Sequence, residues 1–146
     1  MSVTWLEVTD LVEFLQREES VSGVQRVIAE TVPLLMAADP QARAVVLDRP
    51  RGVFVELTAP EVETLLKRGA TSASTSSRAE LAATANACLE RAHAAAPVAP
   101  NSDTTILFLG AVWINDALML AARDAHSARA RCVYLLYDLT PVMETG

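Results

Sequence analysis

The sequence predicts an α/β fold: an open sheet in three layers, mostly parallel, with one antiparallel hairpin. Three observations predict it. Short apolar runs rich in β-formers alternate with longer segments of helical periodicity. The apolar run at residues 104–109 lacks polar alternation, as expected of a strand covered on both faces. Two further runs, 44–47 and 53–57, are joined by the short turn Asp48-Arg49-Pro50-Arg51-Gly52. That connection suits an antiparallel return, because a parallel one needs a long crossover.

The elements follow in order. Residues 3–8 form the first strand. Residues 9–19 carry apolar side chains at Leu11, Val12, Phe14 and Leu15 and read as a short helix or an ordered loop. The stretch Ser20-Val21-Ser22-Gly23 breaks the chain and opens a helix whose apolar positions are Val24, Val27, Ile28, Val32, Leu35 and Met36. Pro33 lies inside that pattern and is expected to kink the helix or end its regular part. After the hairpin, Thr58 stands three residues before Glu61. This is a capping box, in which each side chain satisfies an amide at the helix start. That helix is expected to run to about Arg68 and stop at Gly69. Residues 71–77, all Ser, Thr and Ala, read as a flexible linker. Residues 78–96 are alanine-rich and helical, ended by Pro97 and Pro100. A strand at 104–109, a helix at 116–127 and a strand at 131–137 complete the order.

Composition narrows the function. The chain has 146 residues, 51% of them hydrophobic and 21% charged, so it can bury a core and is not a disordered tail. Its net charge is -6, which argues against a generally basic nucleic-acid surface. The two cysteines, Cys88 and Cys132, form no C-x-x-C pair and no metal cluster with the two histidines. They read as free thiols of a reducing compartment. The N-terminus has no signal-peptide pattern, and the longest apolar run is too short to cross a bilayer. Both fit a cytoplasmic protein.

In open α/β sheets, ligands bind beyond the carboxyl ends of the strands. That rule selects three stretches: 9–23, 110–116 and 138–145. In the first, a helix beginning at Gly23 offers free amides and a dipole that favour an anion. Ser22 can cap the helix or bond a phosphate oxygen. Arg26 adds charge if it faces the ligand and is otherwise solvated. In the second, Gly110 leaves room for a bound group, and Trp113 serves either as a stacking surface for a sugar or base or as a core or lid residue. Asn115 and Asp116 compete to cap the next helix. In the third, Asp138 can bind a sugar hydroxyl, act as a base, or hold the turn before Pro141. Glu144 is a weaker candidate on the same segment.

Other features carry less. His93 reads as a surface residue of an alanine-rich helix, and His126 as a cation at a helix end. No metal site is expected. There is no G-x-G-x-x-G after the first strand, no phosphate-binding P-loop and no G-x-S-x-G elbow. Glu7, Asp10 and Asp48 faintly suggest a phospho-acceptor receiver, but the lysine such a fold would want after the last strand is missing.

Five segments together resemble one family: Asp10-Leu11-Val12, Ser22-Gly23-Val24-Gln25-Arg26-Val27, Val53-Phe54-Val55-Glu56-Leu57, Gly110 with Trp113, and Leu136-Tyr137-Asp138-Leu139-Thr140-Pro141. The chain resembles the N-terminal, Rossmann-like domain of bacterial GT-B glycosyltransferases of the family 4 type, glycosyl transferases group 1. The resemblance spans essentially the whole chain. Ser-Gly-Val-Gln-Arg and Tyr-Asp-Leu-Thr-Pro are its specific parts.

The resemblance implies transfer of a sugar from a nucleotide-sugar donor to an acceptor hydroxyl, with no separate cofactor. It implies that Ser22, Gly23 and Arg26 lie on the donor-phosphate side. Gly110, Trp113, Tyr137 and Asp138 would bind substrate, with Asp138 also a candidate base. Tyr137 stands where the family usually has histidine, so no histidine contact is expected there. The implied partners are the nucleotide-sugar, a glycan or lipid-linked acceptor and a C-terminal domain, with no nucleic acid. The implied location is cytoplasmic, compatible with peripheral contact at the inner membrane face. Such enzymes have two Rossmann-like domains, and this chain is roughly half that length. The expectation is therefore that residues 1–146 are an incomplete acceptor-side domain, a fragment or truncated reading frame that is inactive alone. The alternative reading is a standalone α/β binding or interaction domain without catalysis.

Overall fold

The computed structural model describes residues 2–17, 23–70 and 78–136. The chain forms β1 (Val3–Glu7), α1 (Thr9–Arg17), α2 (Gly23–Ala38), β2 (Arg43–Asp48), β3 (Val53–Glu56), α3 (Ala59–Ala70) and α4 (Arg78–Ala94). It continues through β4 (Thr104–Phe108), a 3-10 turn at Val112–Ile114, α5 (Asp116–Ser127) and β5 (Arg131–Tyr134). The five strands make one sheet in the order β3-β2-β1-β4-β5. β1 runs parallel to β2 and β4, and β4 runs parallel to β5. β2 and β3 pair antiparallel. This is the open, mostly parallel sheet with one hairpin that the sequence predicts.

Strand alternation sorts the core into two layers. Leu6, Val8, Ala44, Val46 and Val55 face one side, where they meet Leu11 and Leu15 of α1, Ile28 and Val32 of α2, Leu65 of α3 and Cys88 of α4. Trp5, Val45, Leu47, Phe54, Ile106 and Phe108 face the other side, against Val112 and the Leu118, Ala121 and Ala125 face of α5. Each fully buried aliphatic side chain is worth roughly 1.5–3 kcal/mol, so these two layers hold the sheet between its helices. The second layer is also aromatic. Trp5 meets Phe54 edge-on at 6.0 Å, and Phe108 stacks on Tyr134 at 5.0 Å. Of the two free cysteines, Cys88 is buried and Cys132 is half-buried.

Several boundaries differ from expectation. Residues Thr9–Arg17 form a true helix, because Leu11, Val12 and Leu15 fall on one face and are all buried. α2 runs through Pro33 to Ala38 without ending there. Pro33 is exposed while Ile28, Ala29 and Val32 are buried, so packing on the opposite face carries the helix past the lost amide. α3 likewise continues through Gly69 to Ala70, where a stop was expected. The capping box is present: the Thr58 amide donates to Glu61 Oε2 at 2.8 Å, and the Glu61 amide donates to Thr58 Oγ1 at 3.4 Å. β5 ends at Tyr134, and one further bond, from the Leu135 amide to the Phe108 carbonyl at 3.1 Å, extends its pairing. The linker expected at 71–77 lies outside the described residues. Among the described residues, no helix is long and apolar enough to cross a membrane.

Candidate functional site

The topology sets the place. From β1 the chain crosses to β2 on one side; from β4 it crosses to β5 on the other. The reversal falls between β1 and β4, and ligands of open α/β sheets enter at such a point, beyond the carboxyl ends of the strands. Here β1 passes into α1 through Val8 alone. The joint is bonded at Thr9. Its amide donates to Glu7 Oε1 at 2.7 Å, and its hydroxyl oxygen accepts the Leu47 amide at 2.8 Å.

At the end of β4, Gly110 packs directly on Asp10 of α1. A Cβ on Gly110 would lie 2.5 Å from the Asp10 Cβ. The space that the sequence suggested for a ligand is thus taken up by Asp10. Asp10 Oδ2 accepts Gln25 Nε2 of α2 at 3.0 Å, and the Ala111 amide also bonds the carboxyl. Three elements therefore converge on one carboxyl: α1, the first turn of α2, and the residues after β4. Burial pushes the Asp10 carboxyl above its usual range, against the hydrogen bonds from Gln25 and Ala111. Beneath it, Glu7 is fully buried. Burial pushes its carboxyl up to about 7, and the Asp10 and Glu13 charges act in the same direction. Its Oε2 has no hydrogen-bond partner among the described residues.

Other predicted positions are arranged as follows. Gly23 is the first residue of α2 and is exposed, with open space where a Cβ would stand. Arg26 is exposed, whereas Gln25 is the residue of that motif that turns inward. Trp113 lies on the 3-10 turn, 42% exposed. It lines a hollow with Met119, His126 and Tyr134 on the α5 side of the sheet. Asn115 caps α5 by accepting the Leu118 amide at 3.0 Å, which leaves Asp116 as the first helical residue. Asn115 also donates to Glu13 Oε2 at 3.4 Å, and Glu13 is paired with Arg49 at the end of β2. Ser22, Tyr137, Asp138 and Glu144 lie outside the described residues. Among the described residues, no group of three or more His, Cys, Asp or Glu side chains could hold a metal ion.

A second concavity opens at the end of β2, between α1 and α4, with a volume of about 730 Å³. Glu13 belongs to its wall, so this cleft adjoins the switch point. Its floor includes Leu47 and Leu89. His93 of α4 stands in it, with Nδ1 3.1 Å from both oxygens of the buried Asp48. The His93 side chain is 56% exposed, but it is not a lone surface residue, since Asp48 holds it. Arg51 Nε also donates to Asp48, while its other nitrogens donate to the carbonyls of Ala92 at 2.8 Å and Ala95 at 3.0 Å. Burial alone would raise the Asp48 carboxyl. The bonds from Arg51 and His93 outweigh it and hold the carboxyl below its usual range. Asp48 is thereby engaged and is a poor phospho-acceptor.

Sequence reasoning quoted Gln25 without giving it a role, named Glu7 and Asp48 only as part of a faint receiver pattern, and missed the Asp48–His93 pair. Gln25 was legible: it is in helical register with the buried Ile28, Ala29 and Val32. Glu7 shares strand parity with the buried Trp5, another available signal. The Asp48–His93 pair had no local signal, because its members come from different elements.

The fold and site define a class: a doubly wound, three-layer α/β sheet whose switch point is closed by the contact of Gly110 with Asp10. No protein-family model, curated protein or solved structure matches the chain.

Proposed function

We propose that the chain is the N-terminal, acceptor-side domain of a GT-B glycosyltransferase that moves a sugar from a nucleotide-sugar to an acceptor hydroxyl. The observation that carries this reading is the Asp10 junction. The Ser-Gly-Val-Gln-Arg motif and Gly110, two of the segments on which the resemblance rests, meet there at the switch point through Gln25 and Asp10. In this reading the first turn of α2 faces the donor diphosphate, with Ser22, Gly23 and Arg26 on that side. Gly110, Trp113, Tyr137 and Asp138 lie toward the substrate, and Asp138 orients the acceptor. A second α/β domain holds the donor nucleotide. The reaction takes place in the cytoplasm, with peripheral contact at the inner membrane face where the acceptor is lipid-linked.

The test uses the full product of the reading frame and a panel of nucleoside-diphosphate sugars, with release of the nucleoside diphosphate as the readout. At least one donor is expected to be consumed. Asp10→Asn, Gln25→Ala and Asp138→Asn should each lower turnover about tenfold or more, with far-UV circular dichroism unchanged. Consumption of no donor, or variants as active as the parent, would reject the reading. The first outcome would leave a binding domain without catalysis.

A further inference from the structure

Among the described residues nine large apolar side chains are exposed, and eight of them lie between Trp113 and Leu136. Scattered singly, such residues need no explanation; gathered on one part of the surface they mark a contact. The helix in this region is α5. Its buried face is Leu118, Ala121, Ala122 and Ala125, which packs on the sheet. A surface helix of this kind turns polar side chains to solvent on the opposite side. In α5 the opposite side is Asp116, Met119, Leu120 and Arg123, all exposed and spaced i, i+3, i+4, i+7 in one stripe. The two apolar members are 48% and 51% exposed.

The order within the stripe indicates what fits it. An acid stands at one end, a base at the other and two apolar side chains between them. Asp116 and Arg123 are equally far from the midpoint between Met119 and Leu120. Turned end for end about that midpoint, the stripe matches itself: Asp116 comes level with Arg123, and Met119 with Leu120. An anionic lipid surface favours basic residues across the whole face. A second copy of the same helix, run antiparallel, complements both ends at once. Arg123 is placed to reach it. Its contact within its own chain is a long one, 3.4 Å to its sequence neighbour Asp124, and leaves the side chain exposed. Trp113 and Ile114, on the turn just before α5, are exposed too and extend the apolar strip beyond the helix start.

We infer that two copies of this chain associate about a two-fold axis at α5. The two α5 helices run antiparallel, with Met119 and Leu120 at the centre and an Asp116–Arg123 ion pair between copies at each end. The interface is independent of the transferase reading, since this stripe points away from the sheet and from the Asp10 junction. With 12 residues, α5 is about 18 Å long. That is short for the roughly 800 Å² per partner of a stable complex, so the dimer is a reversible one, with dissociation in the micromolar range or weaker.

Sedimentation velocity of the 146-residue protein, from micromolar to millimolar concentration, tests this. A monomer–dimer equilibrium is expected. Leu120→Asp should leave the protein monomeric throughout, whereas Leu34→Asp, at the exposed leucine of α2, should change nothing. Asp116→Arg and Arg123→Asp should each raise the dissociation constant about tenfold, because each sets like charges together at both ends. The double variant Asp116→Arg, Arg123→Asp should return it close to the parental value, although both of its charges then oppose the helix dipole. A merely structural role for these two residues would give no such rescue. Far-UV circular dichroism checks that every variant keeps its helices. A parent protein that is monomeric at every concentration overturns the inference and leaves this face to a different partner. A dimer that survives Leu120→Asp, or that the charge exchange fails to restore, overturns it as well.

Discussion

Gly110 leaves no room for a methyl group, because the Asp10 Cβ already occupies the space. Gly110→Ala is therefore expected to cost about 1–3 kcal/mol, measured by urea denaturation. Asp10→Ala should not rescue it, since alanine keeps the offending Cβ, whereas Asp10→Gly should restore part of the loss. A Gly110→Ala protein as stable as the parent would show that this contact relaxes freely. The glycine was legible in the sequence as a strand-end residue, but its neighbour was not. The contact joins α1 to the end of β4, and no local pattern links the two. On α2 the helical register turns Gln25 inward and leaves Arg26 exposed.

At the scale of elements, local chemistry was the most legible. The capping box of α3 could be read from Thr58 and Glu61 alone. Its second function could not: Glu61 also accepts two bonds from Arg91 of α4, at 2.6 and 2.5 Å, and Arg91 donates to the Glu56 carbonyl at 3.1 Å. One carboxylate thus starts α3 and ties α4 to it and to the end of β3. Thr58→Ala is expected to cost about 1 kcal/mol, the usual loss of a cap. Glu61→Ala should cost more, about 2 kcal/mol, because it also leaves Arg91 without its partner. Thermal denaturation of the two variants checks the order, and equal losses would mean that the Arg91 pair contributes nothing. Pro33 shows where local chemistry was outvoted. The proline rule predicts a kink or an end of the regular helix, but α2 does not end there, and Leu35 and Met36 beyond it pack, partly buried, on the same core as Ile28 and Val32.

For the molecule as a whole, the buried acids set the dependence on pH. Glu7 moves from its usual 4.5 to about 7 on folding, chiefly through burial, and Asp10 shifts the same way. Between those values the unfolded chain has released the Glu7 proton and the native chain still holds it. The native state binds more protons there, so stability falls as pH rises from about 4.5 to 7 and then levels off. The Glu7 contribution is on the order of 3 kcal/mol. Asp48 and Glu61, held low by Arg51 and Arg91 against the opposing effect of burial, act in the opposite direction. Their stabilisation is present above their unfolded values and is lost as pH falls below about 4. Maximum stability is expected in mild acid. Urea midpoints taken from pH 4 to 8 check this, and Glu7→Gln should flatten the slope between 4.5 and 7. A parent protein whose midpoint rises across that window would refute the assignment.

The layer order and the hairpin were readable from strand length, turn length and apolar runs, because those are properties of contiguous residues. The pairing of acids and bases across the sheet edge was not, because it depends on which strands become neighbours.

The single-residue passage from β1 into α1 has a further consequence. Most of the slack a protein uses to mould itself around a guest resides in the loops at its strand ends, and here that reserve is missing on the central strand. A molecule arriving at the junction meets a floor that is already in its final form. Little order has to be imposed on it, so little affinity is lost in the process. The same stiffness refuses any guest of a different outline, and whatever accommodation occurs must come from the flanks rather than from below.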